Sequence, residues 1–422
     1  MKKTLYTVHF YTFAAQSLFW TAFLFVFSGC KSPSVEFAVY CSFPEHVLDA
    51  RTLVLTNAAG NVVQHYEIKG GITELSEKFE YTPDDPEERL DYHLITDGSN
   101  GFECTQIFSH LSVPNGAPVA FDPQPNSDTT GVNFPYFDVQ INGIQSFYEL
   151  QVPGILFVNP YDASKKQVSL GFGFSYRQNY VARLKANGSP LFRYLYLPDT
   201  SNVSLEYQWA DLKPENHPTE FTFPDIASIR ILWLEATTDK DRTYTVLYAR
   251  SAFDPVLSAP PQFNIPDELF GQAEIRVWMT TPNLIIDQLF APDAPLEIGP
   301  LNMQIKSASA VPGQSLSVDA EGDIDLLRVV TRAKSSLTGC TLRWQIDGQP
   351  ATFVQYRLPD LHDFLPAAPG YVPFFEHFTV SAHQLGQHDY VELRRGVPFR
   401  YNSYKERMTL ARSGYRALTQ DY

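Results

Sequence analysis

Alternation of apolar and polar residues with a period of two runs through this chain from residue 35 onward, and no other feature restricts its fold as strongly. Val35, Phe37, Val39, Cys41 and Phe43 share one side of a segment. Leu170, Phe172, Phe174 and Tyr176 oppose Gly171, Gly173 and Ser175, and further rows follow at Phe192, Tyr194 and Tyr196 and at Val203, Leu205, Tyr207 and Trp209. Leu342, Trp344 and Ile346 alternate before an Asp347-Gly348 turn. A period of two places every second side chain on one face of a strand, where a helix would need a period near 3.6. With 23 Tyr, 31 Phe and 31 Pro the composition also favours strands and turns. At 422 residues the chain exceeds the usual size of a single core. The expectation is an all-β chain of tandem β-sandwiches. One segment departs from it: EGDIDLLRVVTRAKSSL, residues 321–337, reads as a short helix.

The first thirty residues set the compartment. Lys2 and Lys3 precede an apolar run from Leu18 to Phe27, and Ser28-Gly29 places small residues directly before Cys30. That is the order of a secretory signal. Ending it on cysteine resembles the lipobox of bacterial lipoproteins, with Phe27 where Leu is usual. The resemblance implies that residues 1–29 are a signal peptide and that Cys30 is the lipidated first residue of the mature chain. Lys31 stands where Asp would imply retention at the inner membrane, so the resemblance favours the outer membrane of a bacterial cell envelope. The opposing reading, an uncleaved membrane helix, is weakened by Thr7, His9, Thr12 and Gln16.

Cleavage before Cys30 takes two of the 32 basic residues and none of the 47 acidic ones, leaving a formal balance of −17. Nucleic acid is therefore excluded as a partner by repulsion. The expected partners are the membrane, through the lipid, and a protein or glycan.

Breaker-rich stretches divide the chain. Residues 30–122 form a first β-sandwich block, 123–135 a linker, 136–212 a second β-rich block, 213–300 a third, and 301–422 a fourth that ends in a basic tail. In the third block SIRILWLEATTD and RTYTVLYARSAF resemble the second and third strands of a fibronectin type III domain. The resemblance turns Ile229, Ile231 and Trp233 inward, followed by Tyr244, Val246 and Tyr248. LFGQAEIRVWMTTPN is similar to the sixth strand, with Leu269 opening the corner and Val277 and Met279 continuing the buried row; Ile275 replaces the corner tyrosine. The fold class expected is thus tandem immunoglobulin-like or fibronectin type III-like sandwiches. From Arg394 onward seven basic residues face only Glu406 and Asp421, a segment read as a solvated tail rather than a dock for acidic partners or lipid headgroups.

Chemistry is sparse. No G-x-S-x-G elbow, H-E-x-x-H helix, phosphate-binding glycine loop or dinucleotide fingerprint occurs. Cys41 and Cys104 lie at inward strand positions in an oxidising compartment, which permits a disulfide; two buried thiols are the alternative. Asp319, Glu321, Asp323 and Asp325 alternate around Gly322 as candidate calcium ligands, though the spacing fails the EF-hand pattern. His362, His377, His383 and His388 cluster with Asp363, Glu376 and Asp389; of these His377, His383, His388 and Asp389 form the candidate zinc or copper site. Aromatic rows suit sugar stacking, but their aliphatic neighbours favour core packing. The functional expectation is a lipid-anchored, non-enzymatic binding or scaffold protein without a required cofactor. Its rival is a metal-dependent hydrolase or metal-binding envelope protein that uses the C-terminal histidines.

Overall fold

The computed structural model describes residues 34–43, 51–83, 85, 87–97, 103–121, 136–144, 147–151, 155–162, 167–173, 178–186, 189, 191–197, 204–237, 244–250, 252–334, 341–365, 374–386, 389–395 and 414–422. Cys30, Cys340 and His388 lie outside them, and of Cys104 the backbone alone is described.

The first block contributes β1 (Val35–Ser42), β2 (Arg51–Thr56), β3 (Val62–Ile68), β4 (Glu74–Tyr81), β5 (Leu90–Asp97), β6 (Glu103–Val113) and β7 (Pro118–Ala120). The second contributes β8 (Tyr136–Asn142), β9 (Phe147–Gln151), β10 (Ile155–Asp162), β11 (Gln167–Gly173), β12 (Gln178–Ala186), β13 (Arg193–Leu197) and β14 (Ser204–Gln208). β15 (Lys213–Pro214), β16 (Pro218–Thr222), β17 (Ile231–Thr237), β18 (Tyr244–Arg250), β19 (Gln262–Asn264), β20 (Glu274–Thr280), β21 (Leu284–Phe290) and β22 (Leu296–Glu297) belong to the third. The fourth adds β23 (Met303–Val311), β24 (Ser315–Gly322), β25 (Leu326–Lys334), β26 (Thr341–Gly348), β27 (Tyr356–Arg357), β28 (Phe378–Gln384) and β29 (Tyr415–Asp421). The all-β expectation holds.

The four blocks are hydrogen-bonded to one another. Sixteen strands form one sheet, β15-β13-β12-β18-β17-β20-β21-β29-β28-β25-β26-β6-β5-β2-β3, with β9 paired to β12 off that path. From β13 to β3 its order in space is second, third, fourth, first block, with β15 of the third block at the edge beside β13. β12 runs parallel to β18, β21 pairs antiparallel with β29, and β26 runs parallel to β6 with Trp344 opposite Ile107. Four small sheets accompany it: β4-β1-β7, β10-β11-β8-β14, β19-β16-β22 and β23-β24-β27.

Because side chains alternate across a strand, each stretch of the long sheet has two faces to bury. Leu53, Leu55, Leu94 and Phe108 pack with Phe37, Val39 and Cys41 of β1. Their neighbours Val54, Ile95 and Ile107 join Leu316, Val318, Leu327, Val329 and Trp344 on the opposite face. The run LVL in β2 is continuously apolar because both of its faces are covered. In the third block Leu232, Leu234, Val277, Met279 and Ile286 form a separate core with Phe221 and Phe263 of the small sheet.

Three expectations are corrected. Residues 326–334 form strand β25, not a helix, since Leu327 and Val329 pack in the core while Arg328 points to the other face. In β17 the inward set is Leu232, Leu234 and Ala236, while Ile231 and Trp233 are half-buried on the reverse side. Ile229, Leu269, Val277 and Met279 are buried in that core as expected, joined by Ile275. Residues 415–422 are not part of a solvated tail: β29 lies between β21 and β28, and Tyr422 stacks on Phe378 with ring centroids 5.7 Å apart.

Candidate functional site

Two features stand out where the fourth block meets the first and third. The first is a cleft of about 580 Å³ at one end of the core shared by β6 and β26. Ile107, Trp344, Leu361 and Phe375 line it, and Asp360 and His362 stand among the lining residues as its polar groups. Trp344 is only 4 % exposed, and Phe374 and Phe375 meet it edge-on with centroids 5.5 and 5.4 Å away. Its indole nitrogen donates to the Ser109 hydroxyl at 2.8 Å. Ser109 is also bonded to His93 Nδ1 at 2.7 Å, and His93 Nε2 to the Thr56 hydroxyl at 2.9 Å. Burial lowers the His93 pKa to about 3, so this polar chain holds a neutral imidazole. The cleft is thus apolar with few polar groups, a composition suited to an apolar ligand group.

The second feature is a row of buried charges on the other face of the long sheet. Arg276 on β20 grips Asp287 on β21 through two bonds of 2.7 Å and reaches Glu235 on β17 at 3.0 Å. Burial opposes its charge, but the Asp287 and Glu235 carboxylates outweigh that and raise its pKa. Tyr415 on β29 stands opposite Asp287 in register and is hydrogen-bonded to His383 Nδ1 on β28 at 3.0 Å. Beyond it Arg328 on β25 grips Asp347 on β26 with two bonds of 2.7 Å, and Gln345 and Arg343 continue the chain. Burial raises the Asp347 pKa, yet Arg328 overrides it and the net direction is down. Burial, aided by Arg328, takes His383 down to about 3. Forked arginine-carboxylate pairs of this kind fix strand register more than they add net stability.

Of the sequence-derived metal residues, the described ones are not gathered, and His388 lies outside the described residues. His383 is buried and bonded to Tyr415, His377 is exposed, and Asp389 accepts from the backbone of Glu392 at 2.8 Å to cap the short helix Tyr390–Arg394. The four calcium candidates face different partners: Glu321 pairs with Lys306, Asp323 accepts from Asn302 at 2.8 Å, and Asp325 accepts from the backbone of Leu385 at 2.7 Å. Asp319 sits exposed on β24. Among the described residues no three His, Cys, Asp or Glu side chains converge on a metal position. The Cys41 thiol is free and buried, with its pKa raised by burial, in this structure. Of the aromatic rows, Tyr194 is buried in the third block's core, while Arg183 lies over the Phe192 ring at 4.4 Å.

Sequence reasoning missed the ionic row. Arg276, Asp287, Arg328 and Asp347 are scattered over 72 positions, and no spacing rule connects them; the only trace was single charges inside otherwise apolar strands. Neither a comparison with protein-family models nor a search of curated proteins finds a match to this chain.

Proposed function

We propose that this is a lipid-anchored envelope protein that works as a non-enzymatic binding or scaffold module. The observation that carries the reading is the sixteen-stranded sheet, which hydrogen-bonds segments from all four blocks into one ladder. Blocks joined by flexible linkers move independently, whereas strands shared in one sheet hold their loops and clefts at fixed spacings. A rigid presenter of contact surfaces needs that property. The Trp344 cleft is the surface we assign to ligand contact. Its recessed indole offers no flat ring to a pyranose, so an apolar side chain of a protein partner suits it better than a sugar.

The anchor is tested by feeding labelled palmitate to cells that express the full chain. Label should enter the protein and disappear in Cys30→Ser; equal labelling of the variant overturns the anchor. Site-specific photo-crosslinking from Asp360 in the same cells tests the cleft. A discrete adduct that is lost on changing Leu361 to Asp supports ligand contact there, and adducts insensitive to that change refute it. Stoichiometric zinc in the purified protein, lost in His377→Ala and His383→Ala, would instead establish the metal-dependent rival.

A further inference from the structure

The inner side of the first block contains buried hydrogen-bond donors without an acceptor among the described residues. The short helix Tyr390–Arg394 is pinned over this block by Tyr390, whose hydroxyl donates to the carbonyls of Leu111 at 3.1 Å and Asp347 at 3.0 Å. Arg394 follows one helical turn later on the same face and is 3 % exposed. Its Nε is buried and has no hydrogen-bond partner among the described residues. The Tyr390 ring lies 6.3 Å from the ring of His110, and His110 stands opposite Tyr92 in the β5–β6 register. The Tyr92 hydroxyl is also buried without a partner among the described residues, as is that of Tyr66, which flanks the same face of β2.

Charge acting on Arg394 comes from neighbouring arginines, while the Asp347 and Asp91 carboxylates act on Tyr390. Arg394 lies within electrostatic range of Tyr92, Arg395 and Arg89, and no carboxylate acts on it to a resolved extent. Arg89 and Arg395 are exposed, so positive charge continues from the buried guanidinium to the surface. Neighbouring Glu88 is engaged by the Tyr81 hydroxyl at 2.9 Å. A buried guanidinium without a counter-charge is costly, and orphan donors in a native interior call for an acceptor.

We propose that the junction between Arg394 and Tyr92 binds a phosphate-class oxyanion. One oxygen accepts from Arg394 Nε–H and from the Tyr92 hydroxyl, and the charges of Arg89 and Arg395 complete the neutralisation at the mouth. Inorganic phosphate and the phosphomonoester of a glycerol headgroup share this chemistry.

Thermal unfolding of the full chain in a phosphate series, set against chloride at matched ionic strength, provides the test. A ligand that binds only the native state raises the unfolding midpoint by a few degrees once well above its Kd. The expected result is a saturating, phosphate-specific rise that Arg394→Met abolishes and Tyr92→Phe weakens. A rise equal in phosphate and chloride overturns the site, as does one that persists in a folded Arg394→Met protein. Should Arg394→Met fail to fold, Tyr92→Phe decides, since an undiminished phosphate shift in it overturns the proposal. Repeating the series with glycerol phosphate separates the sources: a larger shift than with inorganic phosphate identifies a headgroup, and a smaller one identifies the free ion.

Discussion

Trp344 does two jobs at once, filling the core shared by the first and fourth blocks and donating its indole N–H to Ser109. Truncation to Ala leaves a cavity and should cost about 3–5 kcal/mol in urea unfolding. Trp344→Phe keeps most of the packing and should lose about 1 kcal/mol for the hydrogen bond. Equal losses for both variants would mean that packing is not the main contribution. Gly322 is a backbone case. Its φ is +102°, and a Cβ there would lie 2.1 Å from the Asn302 carbonyl oxygen. Gly322→Ala therefore combines an unfavourable conformation with a backbone clash and should destabilise by about 3 kcal/mol. A thermal midpoint matching the parent protein would contradict that close approach. Sequence pointed to Gly322 only as the centre of the candidate calcium ligands, because the clash comes from a residue twenty positions earlier.

At the level of elements, the ionic row fixes the register of neighbouring strands within the third block and within the fourth. A one-residue slip of β20 against β21 would carry Arg276 to the wrong face and leave Asp287 buried without its partner. Arg276→Met removes one cation and abandons two carboxylates, Glu235 and Asp287, that are 4 % and 0 % exposed. The expected loss is about 3–5 kcal/mol by chemical denaturation. A loss under about 1 kcal/mol, the typical contribution of an exposed surface pair, would show that the triad is not desolvated. β25 belongs to the same argument. Its alternation of core residues with Arg328 and Arg332 was present in the sequence but resembled a helical segment, because Leu326 and Leu327 are adjacent. Both are buried, one on each face of the sheet.

For the whole molecule, buried titratable groups set the response to pH. Burial depresses His93 and His383 to about 3 and His110 to about 4, against 6.5 for an exposed imidazole. The unfolded chain takes up protons below pH 6.5 that the native state refuses, so stability is complete above that pH and falls as pH drops toward 3 or 4. Each histidine should contribute a loss of about 2 kcal/mol by pH 5. Asp91 acts in the opposite direction. Burial raises it to about 7 against the hydrogen bond from Ser112, so its proton is retained in the native state and stability declines as pH rises from about 4 to 7. Denaturant midpoints measured between pH 5 and 8 should rise steeply on leaving the acid side. In His93→Gln that slope should be shallower, and a slope identical to the parent's would remove His93 from the account.

Sequence alone determined the strand class, since a period of two needs only local geometry and the burial of one face. The resemblance to a fibronectin type III strand also placed Leu269, Val277 and Met279 in a core, and all three are buried there. Which side of β17 faces inward was beyond it: Ile231 and Trp233 alternate as regularly as Leu232 and Leu234, and both sets are apolar. Only the tertiary structure decided that question, along with the pairing of β6 with β26 and β21 with β29 and the convergence of Arg276, Glu235 and Asp287. These depend on contacts between residues tens to hundreds of positions apart. Local propensity carries no record of such contacts, and the free energy that selects them arises only when both faces of the long sheet are covered together.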